Sequence, residues 1–114
     1  MLGCDIISID RVKNSYDKLG KRLLDRILTG REQEIFFSRN ESTAFLAGRF
    51  AAKEAISKAF KTGIGNLAFT DIEILPGESG QPLTYIRGER FAGEVSISHC
   101  REYAMAVCLI KEGV

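Results

Sequence analysis

The chain has no apolar run approaching the ~20 residues needed to cross a bilayer. Its opening MLGCDIISID meets an acid too early for a secretion signal, so the expected location is the cytoplasm. It has no surplus of either charge: 16 Lys and Arg stand against 15 Asp and Glu. No global field therefore draws it to nucleic acid or to an anionic membrane, and any polyanion site must be local. Cysteine is scarce. Cys4, Cys100 and Cys108 are an odd number without C-x-x-C spacing, which argues against a disulfide framework and a zinc knuckle. His99 beside Cys100 would make a poor metal pair, because a strand sends neighbours to opposite faces. Repeats, low-complexity segments and linkers are also missing, so residues 1–114 read as one domain. A chain of this length, 45% hydrophobic, buries roughly two thirds of its unfolded surface.

What is present has a clear order. LGCDIISI reads as a short isoleucine-rich strand. In DRVKNSYDKLGKRLLDRIL, Val12, Tyr16, Leu19, Leu23 and Ile27 fall near helical spacing, and Gly20 breaks the run into two short helices. The other side of that segment is basic, with Arg11, Lys13, Lys18, Lys21, Arg22 and Arg26. Thr29 with Glu32 fits a capping box opening a helix through GREQEIFFSR. A longer helix follows from about Ser42 to Phe60, closed by the glycines of KTGIGN. FTDIEIL, PLTYIRG, EVSISH and YAMAVCLI then read as strands, with PGESGQP as a turn. A strand and helices followed by antiparallel strands make the class α+β.

RFAAKEAISKAF, residues 49–60, places charges where a buried helix should avoid them. At 100° per residue, Phe45, Arg49, Ala52, Ile56 and Phe60 share one face, and Ala47, Phe50, Ala51, Glu54 and Lys58 the opposite one. Both faces are partly apolar, so the helix is expected to be covered on both sides. Glu54 and Lys58 suit an ordinary i, i+4 salt bridge. That is the plainer account of the pair; the sharper one is a ligand that the small alanines allow to come close. Asp5 adds weight to the second reading, since a carboxylate in a strand of Gly, Cys and Ile is costly to bury without a cation or donors. A strand-end cap or a partner for an arginine is the plainer account of it. Asp5 and Glu54, from separate elements, have the chemistry to share one hard cation completed by water and phosphate, the habit of Mg²⁺. Lys58, one turn beyond Glu54, would bring positive charge to the same phosphate.

GCDIISIDR, FLAGRFAAKEAISKAFKTGIG, FTDIEI and VSISH, in this order over nearly the whole chain, resemble holo-acyl-carrier-protein synthase, the small phosphopantetheinyl transferase of bacterial fatty acid synthesis. Lys61 stands where that family usually has glycine, and Gln81 where it often has lysine. The resemblance implies the 4'-phosphopantetheinyl transferase fold, with Asp5 and Glu54 as magnesium ligands and Lys58 at the reacting phosphates of coenzyme A. It implies Arg49 and His99, with neighbouring Ser98, near the nucleotide phosphates. Gly63 and Gly65 would lie under the ligand, with Gly80, Gln81 and Pro82 close to the adenine. Without the resemblance, Arg49 reads as a surface charge and His99 as a strand-end histidine. The implied reaction is attack by a carrier-protein serine on the β-phosphate of coenzyme A, releasing 3',5'-ADP. Glu54, directly or through a water, would take the serine proton.

The resemblance also gives the basic segment a purpose: Arg11, and with it Arg22 and Arg26, would meet an acidic helix of the acyl carrier protein. A homotrimer with sites between chains is expected, with Met105 and Val107 as candidate contacts. Two other classes compete with the enzyme reading. One is a non-catalytic coenzyme A or carrier-protein binding module. The other is a small nucleic-acid-binding domain, for which the sequence holds no readout motif.

Overall fold

The computed structural model describes residues 1–60 and 67–111. The first strand, β1 (Leu2–Ser8), leads into α1 (Ile9–Leu19), whose N-terminus is capped by the Ser8 hydroxyl accepting from the Arg11 amide at 3.3 Å. Gly20, at φ 56°, separates α1 from α2 (Lys21–Ile27), where the sequence placed the break. The Thr29 and Glu32 side chains each bond the other's backbone N–H at the start of α3 (Gly30–Ser38), as the capping box requires. Ser42 caps α4 (Thr43–Ala59) through the Phe45 amide.

The strands form two three-stranded antiparallel sheets. In the first, β6 (Tyr103–Ile110) lies between β1 and β5 (Gly93–His99), so the two ends of the chain are neighbours. Its register runs from Leu2 opposite Leu109 to Ser8 opposite Tyr103, and from Gly93 opposite Ile110 to His99 opposite Ala104. The second sheet joins β2 (Ile72–Pro76), β3 (Pro82–Ile86) and the two-residue β4 (Glu89–Arg90). The architecture is α+β, as expected. FTDIEIL is only partly strand, however. Phe69–Asp71 form a 3₁₀ turn because the Asp71 carboxylate accepts the Ala68 amide at 3.0 Å, a local bond that competes with strand pairing.

Helix α4 is the axis of the molecule, with eleven of its seventeen residues buried. Ala51, Ala52, Ala55, Ile56 and Ala59 pack against Ile72 and Ile74 of the second sheet and Ala106 and Cys108 of the first. Phe45, Leu46 and Ala47 complete a second core with Val12, Leu24, Leu28 and Phe36. The expectation of cover on both sides therefore holds. At Gly3 of β1 the strand comes so near the helix that any Cβ would collide with the Ala55 carbonyl and lie 2.7 Å from the Ala59 nitrogen. On β6, Ala104, Ala106 and Cys108 face α4 and are fully buried, whereas Tyr103, Met105 and Leu109 are exposed on the other face with Leu2 and Ile6 of β1. Among the described residues no helix is long and apolar enough to cross a membrane.

Candidate active site

Asp5 sits in β1 opposite the buried Ala106, so its side chain points toward α4. Its Oδ1 accepts a hydrogen bond from Lys58 Nζ at 2.7 Å, and Lys58 also donates to the Cys4 carbonyl at 3.3 Å. Lys58 thus reaches across to β1, and no ion pair joins it to Glu54 one turn earlier. Asp5 is 14% exposed against 54% for Lys58, and Asp5 Oδ2 is buried with no partner among the described residues. Burial raises the pKa of the partly buried Glu54; the Asp5 charge adds to the rise and Lys58 opposes it. The Lys58 pKa is raised first by its bond to Asp5.

Two carboxylates whose charges repel, one with a buried oxygen that no described residue donates to, make a local excess of negative charge. One ammonium group, half in water, only partly offsets it. Among the described residues no third His, Cys, Asp or Glu joins them in a metal-binding cluster. The donor set suits a hard cation that takes its remaining ligands from water and phosphate.

The other expected residues lie apart from this centre. Arg49 is 8% exposed, which excludes a surface charge; its Nε donates to the Ile74 carbonyl at 3.2 Å and its guanidinium lies 4.4 Å from the centre of the Phe45 ring. Burial lowers its pKa to about 10, with Glu32 opposing and Arg39 assisting the shift. Five residues separate Arg49 from Glu54, about 140° around the helix, so they face different directions. His99 is exposed at the end of β5, on the strand side that faces α4, and the exposed Ser98 points the other way. The Gln81 side chain folds onto its own turn, where Oε1 accepts the Ser79 amide at 2.9 Å and the amide packs on Gly77. Pro82 opens β3 and, with Gln81, Thr84, Arg90 and Ser96, lines a cleft of about 540 Å³ between β3 and β5. Gly63 and Gly65 lie outside the described residues.

Arg11 and Arg26 border a second, more apolar groove of about 440 Å³ lined by Ile6, Val12, Leu23 and Phe50. Its lining takes in Ile6, the residue after Asp5 in β1, and Phe50, four residues before Glu54 in α4, but neither carboxylate itself. Arg22 is exposed but does not line the groove.

Sequence reasoning missed Lys53. It is fully buried, donating to Glu32 Oε1 and the Ile27 carbonyl, each at 2.6 Å. Glu32 completes its set with the Thr29 and Ile74 amides, both at 2.8 Å. The available signal was a lysine flanked by alanines in a helix covered on both sides.

A family model described as the 4'-phosphopantetheinyl transferase superfamily matches residues 1–108. A holo-[acyl-carrier-protein] synthase of a Geobacillus species is 44% identical over 113 residues, covering 96% of this chain and 94% of the relative. The Bacillus pumilus protein of the same name is 47% identical over 116 residues, covering 96% and 93%. Among solved structures, the Helicobacter pylori holo-[acyl-carrier-protein] synthase in complex with coenzyme A superposes with a TM-score of 0.85 at 32% identity, covering 97% of this chain and all of that one. The Bacillus anthracis holo-(acyl-carrier-protein) synthase, solved in complex with CoA (3',5'-ADP), gives 0.78 at 37% identity, covering 95% and 92%.

Proposed function

The chain belongs to the 4'-phosphopantetheinyl transferase superfamily and transfers phosphopantetheine from coenzyme A to apo-acyl carrier protein, and from that premise we propose which of its residues perform the transfer. Asp5 and Glu54 hold Mg²⁺, Lys58 contacts the reacting phosphates, and Glu54 is the general base. The observation that carries this reading is the constellation of Asp5 Oδ1 on Lys58, the orphaned Asp5 Oδ2 and the raised Glu54. When bound, magnesium supplies Lewis-acid neutralisation of the pyrophosphate. The carrier serine Oγ bonds to the β-phosphorus while the bond from that phosphorus to the bridging oxygen breaks, and 3',5'-ADP leaves. Glu54, directly or through a water, accepts the serine proton, being the carboxylate that faces Asp5 across the site. Lys58 stabilises charge on the phosphates in a site partly closed to water. Arg11 and Arg26 guide an acidic carrier helix onto the groove beside Ile6 and Phe50, with Arg22 adding to the field.

The working unit in this reading is a cytoplasmic homotrimer. Two observations support the trimer. Leu2, Ile6, Tyr103, Met105 and Leu109 leave an apolar sheet face exposed, with Val107 between them. Arg49 and Glu54 also diverge on α4, so one nucleotide contacts both more readily when a second copy contributes. Sedimentation equilibrium tests the assembly, and mixing Glu54→Gln with Arg49→Ala chains tests sharing: activity reappears if the sites are composite.

Mass spectrometry of an apo carrier protein incubated with this protein, coenzyme A and Mg²⁺ tests the chemistry. One phosphopantetheine is expected on the serine, with 3',5'-ADP released and the reaction stopped by EDTA. Full turnover in metal-free buffer would refute the metal assignment. Binding without 3',5'-ADP release would leave the non-catalytic module.

A further inference from the structure

Lys58, in the last turn of α4, commits its ammonium to β1: Nζ donates to Asp5 Oδ1 at 2.7 Å and to the Cys4 carbonyl at 3.3 Å. Two of its three donors are thereby taken. The Asp5 carboxylate is also the one that the proposed metal site requires, and its Oδ2 is buried without a partner among the described residues. A magnesium ion on either oxygen would lie at about 2.1 Å, and so within roughly 6 Å of an ammonium still bonded to that carboxylate. Two cations would then draw on one negative charge, with Glu54 the other carboxylate within electrostatic reach of both Asp5 and Lys58. The lysine is placed to give way. Its side chain is 54% exposed, its four-carbon stem is flexible, and an ion pair half in water contributes little to holding it in one position.

The pyrophosphate of coenzyme A changes the balance, because it brings further negative charge to the same place. The ammonium can exchange a carboxylate oxygen for a phosphate oxygen and stay paired, which leaves both Asp5 oxygens to the ion. We propose that Lys58 is a tethered counter-ion for Asp5, competing with the divalent cation until coenzyme A draws it onto phosphate. Lys58 thereby couples the two binding events, and each ligand tightens the other. The inference rests on the assignment of Asp5 and Glu54 to the metal and adds an order to it: the metal binds weakly by itself and well together with coenzyme A. A lysine that served phosphate alone would have no need of a second resting place, and the 2.7 Å bond to Asp5 is that place.

Mn²⁺, a paramagnetic stand-in for Mg²⁺, is titrated into the full chain by electron paramagnetic resonance, alone and at saturating coenzyme A, with no carrier protein and hence no turnover. Lys58→Met is expected to bind Mn²⁺ alone roughly tenfold more tightly than the wild type, within the usual range of coupling between sites. Coenzyme A is expected to tighten Mn²⁺ binding by a smaller factor in Lys58→Met than in the wild type. Unchanged affinity for Mn²⁺ alone would overturn the proposal. So would a gain of the same size with and without coenzyme A, because a fixed charge felt only through its field acts equally in both. The wild type gives a second readout that needs no variant: the nitrogen NMR signal of the Lys58 ammonium is expected to move when Mg²⁺ and coenzyme A are added together, and a signal that stays in place would show that the bond to Asp5 is never released. Wild-type protein that binds no Mn²⁺ even with coenzyme A present would overturn the metal reading itself, a result distinct from failure of the coupling.

Discussion

Lys53 with Glu32 and Lys58 with Asp5 join the same kinds of group at nearly the same distance, 2.6 Å and 2.7 Å, from neighbouring turns of α4. Their surroundings differ in completeness. In the first pair both side chains are fully buried, Glu32 accepts three hydrogen bonds, and Lys53 donates two. The bonds tie the end of α2, the start of α3 and strand β2 to the central helix. In the second pair Lys58 is half in water and Asp5 keeps a buried oxygen with no donor among the described residues. A polar group that has been desolvated and then satisfied is a strut. One that has been desolvated and left short holds back free energy that a ligand can recover. Neighbouring residues Lys53 and Glu54 fall on opposite sides of that division because a step of one residue turns the helix by 100°.

The largest test of this contrast is Lys53→Met, which strands the Glu32 charge in the core. A loss of about 3–5 kcal/mol in urea unfolding is expected, and adding Glu32→Gln should restore much of it. A loss below about 1 kcal/mol would mean that the buried pair is no strut. Next come Asp5→Asn and Glu54→Gln, each expected to lower kcat/KM by roughly a hundredfold or more, the scale of removing one organised charge from a reacting site. Their metal-free melting temperatures should hold or rise, because each removes half of a repulsive pair. Near-normal turnover in both would erase the distinction between the two sites.

A subtler effect separates the sites by pH. The folded-state pKa of Glu54 lies above its ordinary 4.5, so between those two values the folded chain binds more protons than the unfolded one. Stability contributed by this group therefore falls as pH rises through that window, and levels off above it. In EDTA the unfolding free energy of the wild type should decline relative to Glu54→Gln over that interval, and parallel curves would show that Glu54 is not perturbed. The smallest effect is expected at the rim, where Arg11→Glu should raise KM for the carrier protein several-fold and leave that for coenzyme A nearly unchanged. The difference should shrink as salt is added. Equal damage to both substrates would sink the docking role.

Features encoded within one turn of chain were legible in the sequence: the Thr29 and Glu32 capping box, the start of α4 near Ser42 and the Gly20 break. Asp5 and Glu54 were legible as chemistry, since a carboxylate in an apolar setting demands a reason. Their true partners were not. The spacing of Glu54 and Lys58 offered a salt bridge along the helix, but the lysine crosses to a strand 53 residues earlier. Glu32 was correctly read as a cap, yet its second oxygen serves Ile74, 42 residues away. Both depend on tertiary approach, which a local pattern does not carry.

Gly3 sets the clearance of the site. Asp5 lies two residues farther along the same strand and on the same face, about 6.6 Å away. At Gly3 the strand rests directly on the Ala55 carbonyl of α4. A methyl group there would act as a shim, jacking the helix off the sheet beside the point where Lys58 and Glu54 must meet Asp5. A lift of about one ångström is enough to turn a 2.7 Å hydrogen bond into none. The tolerance of the proposed metal site is thus set by an absent atom, and the residue that sets it touches neither metal nor substrate.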